Sequence, residues 1–191
     1  MASKKTAAAP TSPEPQPTGP RFRDIPQFPR AHYEIALPWS ELVEWLDKQE
    51  ARRLAPLNTS PDYQRGHVWS EAQQTAFVEY ALMGGESSMA LTANCPGWMN
   101  DWRGPYELVD GLQRLTAALR FLRGEIPAFG ARIAEYADKI RMDEPSFRWR
   151  VLNLPTRAEV LKLYLLMNSG GVVHSPEEIA RVRALLEKEG K

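Results

Sequence analysis

The stretch Tyr106–Leu122, YELVDGLQRLTAALRFL, restricts what this chain can fold into more than any other. YELV reads as a short strand delivered straight into Asp110-Gly111. Beyond that turn Leu115, Ala118, Leu119 and Leu122 recur at spacings of three and four, the apolar stripe of an amphipathic helix, and Gly124 ends it. A strand that enters a helix through a glycine turn calls for a sheet with helices packed against it.

The flanking sequence extends that pattern. HYEIAL (His32 to Leu37) alternates enough for a strand, closed by Pro38. Ser40 is placed to cap a helix running to about Gln49, with Leu42, Val43, Trp45 and Leu46 as its buried stripe. A turn-rich stretch, APLNTSPD, follows. Ser70 with Gln73 forms a capping box for a helix carrying Phe77, Val78, Ala81 and Leu82 that stops at Gly84-Gly85. A helix is expected around Ala131 to Ile140. Phe147, Trp149 and Val151 alternate with Arg148 and Arg150 as in a strand with one wet face. Thr156 with Glu159, and Ser175-Pro176 with Glu178, open two further helices, the second carrying Ile179, Val182, Leu185 and Leu186. The expected class is a helix-rich α+β domain with a small sheet.

Composition bounds the function. The chain has 191 residues, 24 Lys+Arg against 24 Asp+Glu, 43% hydrophobic and 25% charged residues, so no global basic field drives it onto nucleic acid or membrane. No run of eighteen apolar residues exists, which excludes a transmembrane span, and the N-terminus has no apolar signal core. The single cysteine, Cys95, rules out an internal disulfide and a cysteine-rich zinc cluster; a reducing cytoplasm is the default compartment. Seven of the sixteen prolines fall in the first thirty residues, so residues 1–30 read as a Pro/Ala-rich arm, disordered through about residue 20, ahead of a single domain over 31–191. Five positive residues in the arm against two negative ones leave it at +3 and the remainder at −3. It is read either as a solvated tail or as a weakly basic contact for a phosphate backbone.

Three polar clusters lie at joints between elements: Pro61 to Trp69, Asp110 to Arg114, and Asn168 to Gly171. The second is the most suggestive. A strand ending in a glycine turn leaves unpaired amides and the positive end of a helix dipole facing outward, where phosphate binds well. Arg114 adds a planar fork for phosphate, Asp110 a ligand for Mg²⁺ or an orienter of water, and Gln113 a donor to a phosphoryl oxygen. The alternative is a tight turn in which Asp110 caps the helix and Arg114 is solvated. Arg65 has Asp62 nearby as a partner, Trp69 reads as a core aromatic, and Asn168 with its glycines suits a turn between helices. His32, His67 and His174 are scattered without metal-ligand spacing, Cys95 reads as an idle thiol, and the six tryptophans read as core and loop anchors.

The order of the clusters carries a resemblance. PxYQRxxVW, a helix ending in Gly-Gly, a strand leading into VDGxQRLTAALRFL, and then RAEVLKLYLLMNSGGVVHSPEEI resemble the N-terminal domain of GmrSD-type restriction endonucleases, a distant relative of the ParB/sulfiredoxin-like superfamily, over residues 30–185. The resemblance implies a helix-rich ParB/sulfiredoxin-like fold with a small mixed sheet and a nucleotide-binding pocket centred on the family's DGQQR motif, with hydrolysis of a nucleoside triphosphate linked to DNA restriction. Asp110, Gly111, Gln113 and Arg114 take the motif's outer places, with Asp110, Gln113 and Arg114 as the catalytic set and Asp110 as the Mg²⁺ ligand. Gln64 and Arg65 match the upstream Gln-Arg pair, and Asn168, Gly170 and Gly171 the later turn, all on the nucleotide. Leu112 replaces the motif's first glutamine, a change expected to weaken hydrolysis while phosphate binding survives. The few histidines supply no HNH-type nuclease centre, so the resemblance implies the sensor half of a restriction system, in a bacterium or a phage-infected cell.

Three functions compete: a nucleotide-binding module that hydrolyses NTP with Mg²⁺; a DNA-binding or nicking ParB-like protein that sets the arm with Arg148 and Arg150 on the phosphate backbone; and a catalytically inactive regulator bound to a host or phage protein.

Overall fold

The computed structural model describes residues 20–22, 25, 27, 29–66, 68–102, 104–139, 145–168 and 176–189. The expectations for residues 1–19, for Gly170 and Gly171, and for the Ser175 cap lie outside them. Strand β1 (Tyr33–Pro38), helix α1 (Trp39–Glu50), β2 (Leu57–Asn58), α2 (Glu71–Leu82), β3 (Ala90–Asn94), β4 (Tyr106–Asp110), α3 (Leu112–Leu122), β5 (Ser146–Leu152), α4 (Arg157–Asn168) and α5 (Pro176–Glu189) follow in chain order. The class is α+β, with a mixed five-stranded sheet in the order β1-β5-β3-β4-β2. The β1–β5 and β3–β4 pairs are antiparallel, and β3–β5 and β2–β4 are parallel.

The period-two pattern of β5 decides which face carries the main core. Phe147, Trp149 and Val151 point one way and are fully buried, packed with Leu91, Ala93 and Leu108 of the neighbouring strands and with α1, α2 and α3. Burial of an aromatic this size is worth about 3–5 kcal/mol against alanine, and Trp149 loses nothing on its polar edge because its indole N–H donates to the Tyr106 hydroxyl at 2.7 Å. On the opposite face Val109 and Leu152 meet Val160, Leu161 and Tyr164 of α4 and Val182 of α5, a smaller second core that also holds Tyr63. Among the described residues no helix is long and apolar enough to cross a membrane.

Both capping boxes that can be inspected form. The Ser70 hydroxyl accepts from the Gln73 amide while the Gln73 side chain accepts from the Ser70 amide. Thr156 and Glu159 exchange the same pair of bonds at the start of α4. Three expectations need correction. Helix α1 begins one residue earlier, at Trp39 with Pro38 as its N-cap, and Ser40 caps nothing; proline's fixed φ and missing N–H make that entry cheap. The turn-rich stretch after α1 contains β2, too short to read as a strand. The helix expected from Ala131 is replaced by a single 3-10 turn, Ile133–Glu135. Phe129 and Gly130 are left-handed, Ala128 and Ala131 pair across them, and the Arg132 side chain reaches back to the Gly124 carbonyl; together they close a tight loop where a helix would have to start.

Candidate functional site

The joint between β4 and α3 is built on Gly111. Its φ of +106° is left-handed, and a Cβ there would sit 2.3 Å from Leu91 Cδ2, so both backbone conformation and space demand glycine. Gly111 is the N-cap of α3, and no side chain caps the helix. The first helical bond runs from the Leu115 N–H to the Gly111 carbonyl at 2.9 Å, leaving the amides of Leu112, Gln113 and Arg114 ahead of it at the positive end of the dipole. Asp110 therefore does not cap. Its Oδ2 accepts from Arg114 NH2 at 2.5 Å, while Arg114 NH1 donates to the Ser88 carbonyl at 2.7 Å, so Arg114 is pinned on two sides rather than solvated.

The loop before α2 is held against this joint. Gln113 does most of it: its Oε1 accepts from the amides of Val68 and Trp69 at 3.0 and 3.2 Å, and its Nε2 donates to the Gly66 carbonyl at 3.2 Å. The side chain expected to reach a phosphoryl oxygen is instead turned onto the loop backbone. Gln64 Nε2 donates to the Leu108 carbonyl at 2.8 Å, and the Tyr63 hydroxyl reaches the same oxygen at 3.4 Å. Tyr63 is fully buried with its ring edge-on to Tyr164, and that burial holds its hydroxyl well above the usual phenol range. Asp62, the expected partner of Arg65, pairs with Arg157 at the start of α4. Arg65 is half-buried and, among the described residues, meets no carboxylate. Burial raises the Tyr164 hydroxyl, while a hydrogen bond with the Arg65 backbone and the Arg65 charge pull it down.

These residues enclose one hollow of about 170 Å³. Gln64 and Arg65 come from the loop, Asp110, Gly111, Gln113 and Arg114 from the joint, and Tyr164 and Asn168 from α4, with Trp69, Val109 and Leu112 as apolar wall. Three segments far apart in sequence thus converge. Asn168 Nδ2 donates to the Tyr164 carbonyl one turn back. Tyr164 is not among the site residues expected from the sequence; its position four before Asn168, on the same helix face, is the signal that could have found it.

The charges sort by availability. Among the described residues that line the hollow Asp110 is the one carboxylate, and Arg114 holds one of its oxygens. No group of three His, Cys, Asp or Glu able to hold a metal occurs among the described residues. That donor set does not suit a resident metal. Arg148 and Arg150 lie away from the hollow. Arg150 Nε sits 3.0 Å from Glu34 Oε2 on the neighbouring strand, close enough for an ion pair though not aligned as a hydrogen bond, and Arg148 borders a separate hollow beside Gly84, Gly85 and Glu86. Cys95 is buried, its thiol pushed up to about 11 chiefly by that burial. Trp98 and Trp102 stack on each other, and the Arg52 guanidinium lies over Trp102 at 3.3 Å.

No curated protein matches this chain. The family model described as the GmrSD restriction endonuclease, N-terminal domain, matches residues 42–151, from α1 through most of β5. The match takes in the loop with Gln64 and Arg65 and the joint from Asp110 to Arg114, and Asn168 lies beyond it. It spans more than half of the chain, so this protein belongs to the GmrSD restriction endonuclease N-terminal domain family, whose role is tied to restriction systems.

Proposed function

We propose that this domain is the nucleotide sensor of a restriction system, holding the phosphate tail of a nucleoside triphosphate in the hollow between the loop, the β4–α3 joint and α4. The observation that carries this reading is the convergence of an arginine without a carboxylate partner among the described residues, Arg65, with the uncapped N-terminus of α3. An anion placed there meets backbone N–H groups on one side and a guanidinium fork on the other. At about 170 Å³ the hollow is small beside the several hundred Å³ that usually enclose a whole small-molecule ligand, so it suits phosphate and leaves the base outside.

The roles divide accordingly. Arg65 and the amides of Leu112 to Arg114 grip phosphate. Arg114 and Gln113 are positioning residues: one fixes Asp110 and the strand before α3, the other fixes the loop that carries Arg65. Asp110 would offer one oxygen to a Mg²⁺ bound with the nucleotide, which would supply neutralisation of phosphate charge. With leucine at 112 and the Gln113 amide turned onto the loop, no free glutamine side chain faces the hollow to orient a water, so binding is expected to outlast turnover, and hydrolysis to be slow.

Calorimetric titration with MgATP, MgGTP and MgCTP tests this. The reading expects heat with each, similar affinities among the three, and competition by inorganic tripolyphosphate. Absence of heat with all three nucleotides contradicts it.

A further inference from the structure

Helices α4 and α5 lie beyond the residues matched to the family, yet α4 walls the hollow and α5 packs on α4. Tyr164 and Asn168 of α4 line it directly. Among the described residues helix α5 contributes nothing to the lining, but Arg181 on its second turn reaches across to the loop. Arg181 NH2 donates to the carbonyl of Gln64 at 3.0 Å and lies 3.4 Å from that of Tyr63. Those are the two residues immediately before Arg65. Val182, next to Arg181, is buried in the second core, so the seat of α5 on α4 sets where the guanidinium stands.

The segment 63–65 is thus tied from three directions. Gln64 fastens it to the Leu108 carbonyl on β4, Tyr164 to α4 through the Arg65 backbone, and Arg181 to α5 through two carbonyls. The first two act on a side chain and on an amide. Among the described residues Arg181 is the side chain that acts on the carbonyls that set the direction in which the chain enters Arg65. A hydrogen bond from a charged donor is worth more than one between neutral groups, and a cation at this distance from carbonyl oxygens also fixes their dipoles.

We propose that Arg181 is a positioning residue for the phosphate site: by holding the Tyr63 and Gln64 carbonyls it sets the reach of Arg65, so the docking of α5 governs ligand affinity. This inference rests on the reading of the hollow as a phosphate site. It makes α5 a control element, because anything that shifts the helix along α4 moves Arg65 without touching the ligand.

The test measures MgATP affinity and amide exchange at residues 64–66 in the wild-type protein, Arg181→Ala and Arg181→Lys, with melting temperature as the check on folding. Arg181→Ala is expected to bind MgATP about tenfold more weakly and to exchange those amides faster, at a melting temperature near that of the wild type. Arg181→Lys, which keeps a cationic donor, is expected to recover part of both. Wild-type binding that Arg181→Ala leaves unchanged overturns this inference and spares the phosphate site. So does a loss of affinity that comes only with a matching loss of fold and that lysine does not repair. A wild-type protein that binds no MgATP removes the phosphate site itself, and this inference with it.

Discussion

The chain contains two Gln-Arg pairs facing one hollow, and the fold uses them in opposite ways. At 113–114, on the first turn of a helix, both side chains are consumed in structure: Gln113 ties down three backbone groups of the loop, and Arg114 is divided between Asp110 and the Ser88 carbonyl. At 64–65, on a loop, Gln64 anchors itself to Leu108 and leaves Arg65 facing the hollow without a carboxylate partner among the described residues. The difference comes from backbone context. Asp110 at the end of β4 and Arg114 on the first turn of α3 face each other across the Gly111 turn, close enough to pair. The loop offers Arg65 no such neighbour, because Asp62 is taken by Arg157. An arginine inside a motif is thus not the one free to meet a ligand merely because the motif is the better known.

The sharpest way to break this contrast on its structural side is Gln113→Ala. Three loop groups lose their partner at once, and the expected cost is about 1–3 kcal/mol of unfolding free energy, read as a lower midpoint in urea, together with weaker nucleotide binding as the loop loosens. Next comes Arg114→Ala, which leaves Asp110 and the Ser88 carbonyl unpaired. Because the Asp110 carboxylate is about a third exposed, solvent screens much of the loss, and a destabilisation near 1 kcal/mol is expected, smaller than that of Gln113→Ala in the same urea series.

Glu107 sharpens the loop side of the comparison. It precedes Leu108, whose carbonyl anchors Tyr63 and Gln64, and it is nearly buried beside the Tyr63 hydroxyl. Burial raises its carboxyl above the ordinary range, against the pull of Arg157. The fold therefore penalises the charged form. That penalty is absent below about pH 4.5, where the carboxyl is protonated folded or unfolded, and it grows as pH rises through the elevated native value. Glu107→Gln is expected to remove this pH-dependent loss, so melting temperatures measured from pH 4 to pH 7 should fall less in the variant than in the wild type. The smallest effect is expected for Arg148→Ala, whose side chain lines a different hollow: unchanged MgATP affinity, and a change of about 0.9 in the log–log salt slope of any duplex DNA binding if that side chain neutralises a phosphate.

What could be read in the sequence was whatever depends on near neighbours. The capping boxes at Ser70 and Thr156, the stripe of α3 and the alternation in β5 follow from spacings of two to four residues, and each forms as expected. The central strand β3 escaped notice. ALTAN has no alternation because both its faces are covered, and Ala and Asn are weak strand formers. The helix expected from Ala131 failed because left-handed Phe129 and Gly130 close a loop that no periodicity reveals. For the hollow, three clusters could be singled out because each sits at a joint between elements, but which side chains stay free depends on partners 26 to 47 positions away, such as Ser88 for Arg114 and Gly66 for Gln113. Arg181 lies 117 positions from the carbonyl it holds and left no local signal.

Arg65 is the residue on which the phosphate site depends, and the protein's affinity for MgATP is the measurement that bears on it most directly. With wild type and Arg65→Ala titrated side by side at equal melting temperature, the predicted result is a loss of roughly tenfold to a hundredfold. Arg65→Ala binding as tightly as the wild type would contradict it.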